Sequence, residues 1–196
     1  MAKILFDIRS AAKVERVYDD SDTKADRGIS VFTASMEDIP EGYYMIGQAA
    51  VRQTGVKDVP KSSIILVKPS DPDLIKIPVN YSKKWNDKGS EGKLDGTFWR
   101  VIAPEGYVAL GDVVTDNYSQ PLTAFTNKFA CIRQDLLVSG ELNPQSLWND
   151  KGSGADLSGS VWEVDGHGLA GLFKVQAGYD IPQIPVFVLP ASVAKK

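Results

Sequence analysis

The sequence of 196 residues contains one cysteine and one histidine. A single cysteine, Cys131, excludes an intrachain disulfide and argues against a disulfide-stapled secreted scaffold. Cys131 sits in the apolar run FACIRQ and reads as a buried core thiol. His167 lies in the glycine-rich stretch DGHGLAG, and nothing in the sequence links it to Cys131. A Cys–His nucleophile and a His/Cys metal cluster are therefore not indicated. No apolar run approaches the length of about 20 residues that spans a bilayer. The first residues, MAKILFDIRS, are charged and carry neither an apolar h-region nor a cleavage signature. The expectation is a soluble protein made in a cytoplasm, with no signal peptide and with leaderless release left open. A basic excess is also missing: 22 Lys and Arg stand against 25 Asp and Glu, for a net charge of −3. Nucleic acid is thus not an expected partner, and Lys57, Lys61, Lys83 and Lys84 read as solvated surface. No P-loop or dinucleotide fingerprint occurs. Helical patterning is scarce. SAAKVERVY could make two turns, but VERVY suits a strand equally well.

What the chain does have is repetition. WNDKGSEGKLDGTFW (Trp85 to Trp99) and WNDKGSGADLSGSVW (Trp148 to Trp162) begin 63 residues apart and share W, N, D, K, G, S, L, G and W. The alignment continues downstream, with Gly106, Leu110 and Val113 against Gly168, Leu172 and Val175. A third copy is eroded. IPEGYYMIGQAAV matches APEGYVALGDVV, with Gly42, Tyr43 and Gly47 against Gly106, Tyr107 and Gly111. Upstream, one gap aligns Tyr18 with Trp85 and Gly28 with Gly96, and Asp19–Asp20–Ser21 stands at the NDKGS core. Each unit opens with a strand-like run (ILFDIRS, LIKIPVNYS, DLLVSGEL) and closes with another (IILVK, FACIR, VFVLP). Three units result, at about 1–68, 69–133 and 134–196.

Short β-branched and aromatic runs, punctuated by Gly, Pro and Asn/Asp turns, give about four strands per unit. The expected fold is all-β: a single domain shaped as a β-prism, with three pseudo-symmetric four-stranded antiparallel sheets sharing one core. A β-trefoil is the competing architecture and an open sandwich the third. Trp85, Trp99, Trp148 and Trp162, with Tyr18 and Phe32, are anchors of the core or its rim; the functional alternative is an aromatic platform for sugar or proline rings. ILFDI, otherwise unpaired, either closes the prism within the chain or swaps into a neighbour, which would make a homo-oligomer.

The motif set WNDKGS with a later Trp (Trp148–Ser153, Trp162), then Pro104, Gly106, Tyr107, Leu110, Gly111, Asp112, Val113 and Val114, then Cys131, Arg133 and Asp135, resembles the Vps62-like family of vacuolar protein sorting-associated proteins. The middle unit matches best. The last lacks the Gly–Asp pair and has Phe173 and Lys174 instead. The repeats are also similar to the adaptor-binding repeats of bridge-like lipid-transfer proteins. That second resemblance implies capture of proline-containing peptides. Related β-prisms act as lectins and as membrane-targeting parts of pore-forming or insecticidal toxins, an implication at the level of fold alone.

Asp87 and Asp150 are repeat equivalents, so symmetry is expected to place them on different faces, apart from any one scissile bond. Ser90 and Ser153 have no partner implied for nucleophilic attack. An enzyme is not expected, and no cofactor is called for. Asp19, Asp20 and Asp22 form a weak calcium candidate; otherwise no metal is expected. The NDKGS loops read first as Asx turns that cap backbone N–H groups. As ligand-binding loops they offer Trp85, Asn86, Asp87, Gly89, Ser90, Trp148, Asn149, Asp150, Gly152 and Ser153, joined by Tyr107, Asp112 and Asn117. The first functional expectation is a binding module for a glycan, lipid head group or protein receptor at a membrane surface, serving a toxin or defence protein. A peptide-binding adaptor in membrane trafficking is the second, and an undetected hydrolase the third.

Overall fold

The computed structural model describes residues 4–165 and 172–195; His167 and Gly168 lie outside them. The first unit contains β1 (Phe6–Ser10), β2 (Val14–Asp19), β3 (Ser30–Ala34), β4 (Tyr44–Met45), β5 (Ala49–Val51) and β6 (Ile65–Pro69). The second contains β7 (Ile75–Lys76), β8 (Asn80–Asn86), β9 (Thr97–Ile102), β10 (Tyr107–Val108), β11 (Val113–Thr115) and β12 (Cys131–Arg133). The third contains β13 (Val138–Ser139), β14 (Glu141–Leu142), β15 (Trp148–Asn149), β16 (Gly159–Asp165), β17 (Phe173–Ala177) and β18 (Phe187–Val188), before a closing β19 (Ala194–Lys195). One α-helical turn, Thr123–Thr126, interrupts the second unit.

Pairing repeats with the units. In each, the opening strand pairs antiparallel with the closing one: β1 with β6, β7 with β12, β13 with β18. A central hairpin (β2–β3, β8–β9, β15–β16) takes β5, β11 or β17 as its third strand. The architecture is all-β and prism-like, but it differs from three four-stranded sheets. The described residues form six small sheets. The reason is a bend in two chain segments of each of the first two units. The path from β1 to β2 turns at residues 11–13, and the path from β4 to β5 turns at residues 46–48. Each bend carries the chain from one ladder to the next and breaks the hydrogen-bond register. VERVYD is the strand β2, not a helix, with a bulge between Arg16 and Tyr18. The N-terminal run closes within the chain: Phe6 and Asp7 pair in parallel with Ala194 and Lys195.

Strand register corrects two alignments. Tyr18 faces Val31 as Trp85 faces Phe98, so no gap is needed, and Ile29, not Gly28, matches Gly96. Trp99 faces Val113 while Trp162 faces Lys174. Leu172 and Phe173 therefore stand where Gly111 and Asp112 stand. Packing agrees: a Cβ added to Gly47 would lie 2.4 Å from Leu172 Cδ2 and 3.3 Å from Gly111 Cα. The three equivalents meet, and only glycine at two of them leaves room for leucine at the third.

Tyr18, Trp85 and Trp148 are buried together with Phe98 in one core cluster. Trp85 packs edge-on against Trp148, with centroids 5.1 Å apart at 77°, and Tyr18 lies 6.2 Å from Trp85. Two aliphatic-rich clusters fill the rest of the interior. Cys131 is buried in one of them, and burial pushes its thiol up to about 12.

Candidate functional site

The two intact loops fold alike. Asn86 Oδ1 accepts from Lys88 N (3.3 Å), Ser90 N donates to the Asp87 carbonyl (2.9 Å) and Ser90 Oγ accepts from Gly92 N (3.3 Å). In the third unit Asn149 Oδ1 accepts from Lys151 N (3.3 Å), Ser153 N donates to the Asp150 carbonyl (2.9 Å) and Ser153 Oγ accepts from Ala155 N (3.1 Å). Gly89 and Gly152 hold left-handed φ values of 86° and 82°, which glycine adopts without strain. The motif carboxylates then close each loop. Asp87 Oδ1 accepts from Gly96 N (3.1 Å), Asp150 Oδ1 from Gly159 N (2.9 Å) and Asp20 Oδ1 from Ile29 N (2.9 Å). These are Asx-type corners.

The loops do not lie on separate faces as expected; they interlock at one end of the molecule. Asp156 N donates to the Lys88 carbonyl (2.7 Å), Asp26 N to the Lys151 carbonyl (2.8 Å) and Lys93 N to the Ser21 carbonyl (3.0 Å). Each loop thus gives one bond and receives one, around a pseudo-threefold axis. The side chains make a second ring. Trp85 Nε1 donates to Asp150 Oδ2 (3.0 Å), and Trp148 Nε1 donates to Asp20 Oδ2 (2.9 Å). The third link is missing because Tyr18 has no indole. Its hydroxyl is buried and has no partner among the described residues. Burial raises its pKa most, and Asp87 adds to the shift. Asp87, deprived of the indole, is itself held above the usual carboxylate range by burial, against the pull of the Gly96 N–H and Tyr118.

Most side chains proposed as ligand contacts are therefore internal. Trp85, Asn86, Asp87, Trp148, Asp150 and Ser153 are buried; Ser90 and Asn149 are half-buried, and Gly89 and Gly152 are exposed. Both tryptophans are core anchors, not surface platforms. Asp19 and Asp20 are buried as well. Asp19 takes Arg16 Nη1 (2.7 Å) and Ser21 N (2.9 Å), while Asp20 takes Ile29, Trp148 and Thr54, leaving exposed Asp22 alone. Among the described residues, no group of three metal-ligating side chains occurs.

Asp112 is also interior. It is wholly buried, and accepts from Val101 N (3.1 Å), Val175 N (2.9 Å) and Arg100 Nε (2.7 Å), with Lys174 Nζ at 3.8 Å. Lys174 is buried, donates to the Ala109 carbonyl (2.7 Å), and has its pKa lowered by burial against the upward pull of Asp112. Half-buried Tyr107 donates to the Asp73 carbonyl (2.8 Å). Exposed Asn117 accepts from Ser119 N (2.8 Å) as a turn residue.

Two exposed aromatic corners remain. Lys88 Nζ sits 4.6 Å from the ring centroid of Tyr118, and Lys151 Nζ sits 4.8 Å from that of Tyr179. Tyr118 is 38% exposed and Tyr179 37%. The Tyr118 hydroxyl donates to Asp95 (2.9 Å), and its pKa is raised by partial burial, then by Asp95 and Asp87. Lys88 and Lys151 occupy the same place in their loops, so the arrangement occurs twice.

The family profile described as vacuolar protein sorting-associated protein 62 matches residues 4–169. The chain belongs to this Vps62 family. No curated protein matches it. Among solved structures, the crystal structure of GNIP1Aa from Chromobacterium piscinae is similar, with a TM-score of 0.77 and 25% identity over 97% of this chain. The match covers 38% of GNIP1Aa, so the chain spans well under half the length of that relative. No helix among the described residues is long and apolar enough to cross a membrane, which says nothing of a β-barrel.

Sequence reasoning on this Vps62-family chain missed Tyr118 and Tyr179 as a pair, because they lie after β11 and β17 and not inside the repeated phrase. The available signal was the lysine of NDKGS itself. A lysine present in both copies within an Asx turn has no capping task for its side chain, and its head group turns to the neighbouring tyrosine ring.

Proposed function

We propose that the chain is a non-catalytic β-prism binding module that recognises a glycan or lipid head group at a cell surface or membrane. The observation that carries this reading is the duplicated Lys–Tyr corner, Lys88 with Tyr118 and Lys151 with Tyr179, on an end whose three loops are hydrogen-bonded to one another. A half-exposed tyrosine offers an apolar face to the C–H side of a sugar ring and a polar rim to its hydroxyls. The lysine supplies donors for hydroxyl, carboxylate or phosphate oxygens, and Asp95 supplies an acceptor. Because the loops are locked, little order has to be gained on binding. Two equivalent corners on one rigid end support bivalent capture of a repeating surface. In a toxin or defence protein such a module would act as the targeting part, in keeping with its match to a fraction of a longer chain.

The test is a glycan array together with flotation on vesicles of phosphatidylcholine containing anionic lipid. Binding is expected on at least one, weakened by Tyr118→Ala or Tyr179→Ala alone and abolished by both. Silence on both supports, or full binding by the double variant, overturns the reading. Turnover of generic ester or glycoside substrates would overturn its non-catalytic part.

A further inference from the structure

At one boundary between units, an arginine closes a strand edge. Arg52 directly follows β5. Its Nε donates to the Leu147 carbonyl (3.0 Å) and its Nη2 to the Ser146 carbonyl (2.8 Å). These are the two residues immediately before Trp148. Arg27 Nη1 adds a bond to the Ser146 carbonyl (3.1 Å). A planar guanidinium suits this task because it presents several fixed donors to neighbouring carbonyls.

The next boundary builds the same place without the cation. Thr115 faces Thr97 as Val51 faces Ser30, so Asp116 follows β11 as Arg52 follows β5. It lines the same groove as Arg16 and Val17, the two residues immediately before Tyr18. As a carboxylate, Asp116 has no hydrogen to donate to a carbonyl. Arg16 does not substitute, since its Nη1 turns to Asp19 (2.7 Å) and the Val56 carbonyl (3.2 Å). Among the described residues β2 pairs only with β3, and β11 only with β9, so both are edge strands. Between them lies a groove of about 300 Å³, with Glu15 and Asp116 on its rim and Met36, Leu122 and Phe125 along its wall. Leu122 is 76% exposed, the most exposed of the large apolar side chains among the described residues. Glu15 is shared with Lys13, 3.1 Å away, which leaves Asp116 as the principal anion.

We propose that this groove binds an arginine side chain presented by a partner protein. The guanidinium would take the position at β2 that Arg52 takes before Trp148, paired with Asp116, while its methylene stem lies on Met36 and Phe125. The proposal rests on charge complementarity and on the molecule's own precedent at the neighbouring boundary. It is independent of the Lys–Tyr corners.

The experiment is an NMR titration of the ¹⁵N-labelled full chain with acetyl-Leu-Arg-Leu-amide and with its citrulline counterpart, which keeps the shape and loses the charge. Shifts are expected at Val17, Thr115, Asp116 and Phe125 with the arginine peptide, and affinity at least about tenfold weaker with citrulline. Asp116→Arg fills the groove from within and should abolish binding. Should that variant fail to fold, Asp116→Asn combined with Glu15→Gln is expected to weaken binding by about tenfold. No shift at these residues, equal binding of the citrulline peptide, or wild-type binding by all the variants overturns the proposal.

Discussion

The indole N–H of Trp85 crosses a repeat boundary to the carboxylate of Asp150, 3.0 Å away, and the equivalent aromatic of the first unit, Tyr18, makes no such bond. Two positions related by the repeat should therefore answer the same change with different sign. Trp85→Phe strips a donor from a buried carboxylate and is expected to cost about 1–3 kcal/mol. Tyr18→Phe removes a hydroxyl that has no partner among the described residues and should be neutral or slightly stabilising. Urea denaturation of the two variants checks this, and equal losses would refute it.

Tyr18→Trp should complete the ring. Gly96 lies beneath the Tyr18 ring as Gly159 lies beneath Trp85, with an added Cβ 2.4 Å and 2.5 Å from the respective aromatic atoms. The larger indole thus meets the same bare floor, and its N–H faces Asp87. A gain of about 1 kcal/mol is expected in the same denaturation assay. Gly159→Ala, by contrast, should destabilise by about 1–3 kcal/mol through overpacking against Trp85.

The pH response follows from Asp87. Burial holds its carboxyl above the ordinary value of 3.8. The folded chain then binds this proton more tightly than the unfolded chain does, so its contribution improves as pH falls through the raised value toward 3.8. Asp87→Asn removes the effect while keeping an acceptor for Gly96 N–H. The stability of the wild type relative to this variant should rise on acidification through that window and stay level above it. Calorimetric melting across the range measures the difference, and a fall on acidification would contradict the assignment.

Removing the carboxylate at Asp112 should be severe. Asp112→Ala leaves buried Lys174 and Arg100 without their anion, and a loss of about 3–5 kcal/mol is expected. Lys174→Met in the same chain should recover part of it. Thermal unfolding of the single and double variants tests the coupling; a simple sum of two losses would argue against it.

Much of the fold was legible because glycine, tryptophan and Asx turns mark each corner, and corners recur with the strands. The turns at Asn86–Ser90 and Asn149–Ser153 could be read from residue chemistry alone. What the sequence hid was the relation between units. Pattern reading compares Asp87 with Asp150 as copies; it has no term for Trp85 of one unit reaching Asp150 of the next. Hence the loops were expected on different faces, and buried Asp112 was counted among surface contacts. The glycines of GYVALGDVV point to a kink, but not to the break in pairing at residues 109–112 that splits each expected four-stranded sheet into two ladders. Arg52 and Asp116 went unpaired in the reading because neither belongs to a repeated phrase.

The closure of β1 on β19 has one more consequence. A linear array of repeats has two end units, each with a single neighbour, and such units fray first. Here every unit has two neighbours, since the last strand returns to the first and the loop bonds run in a circle. Loss of any one unit would strip contacts from both others at once. Folding is therefore expected to involve all three units or none.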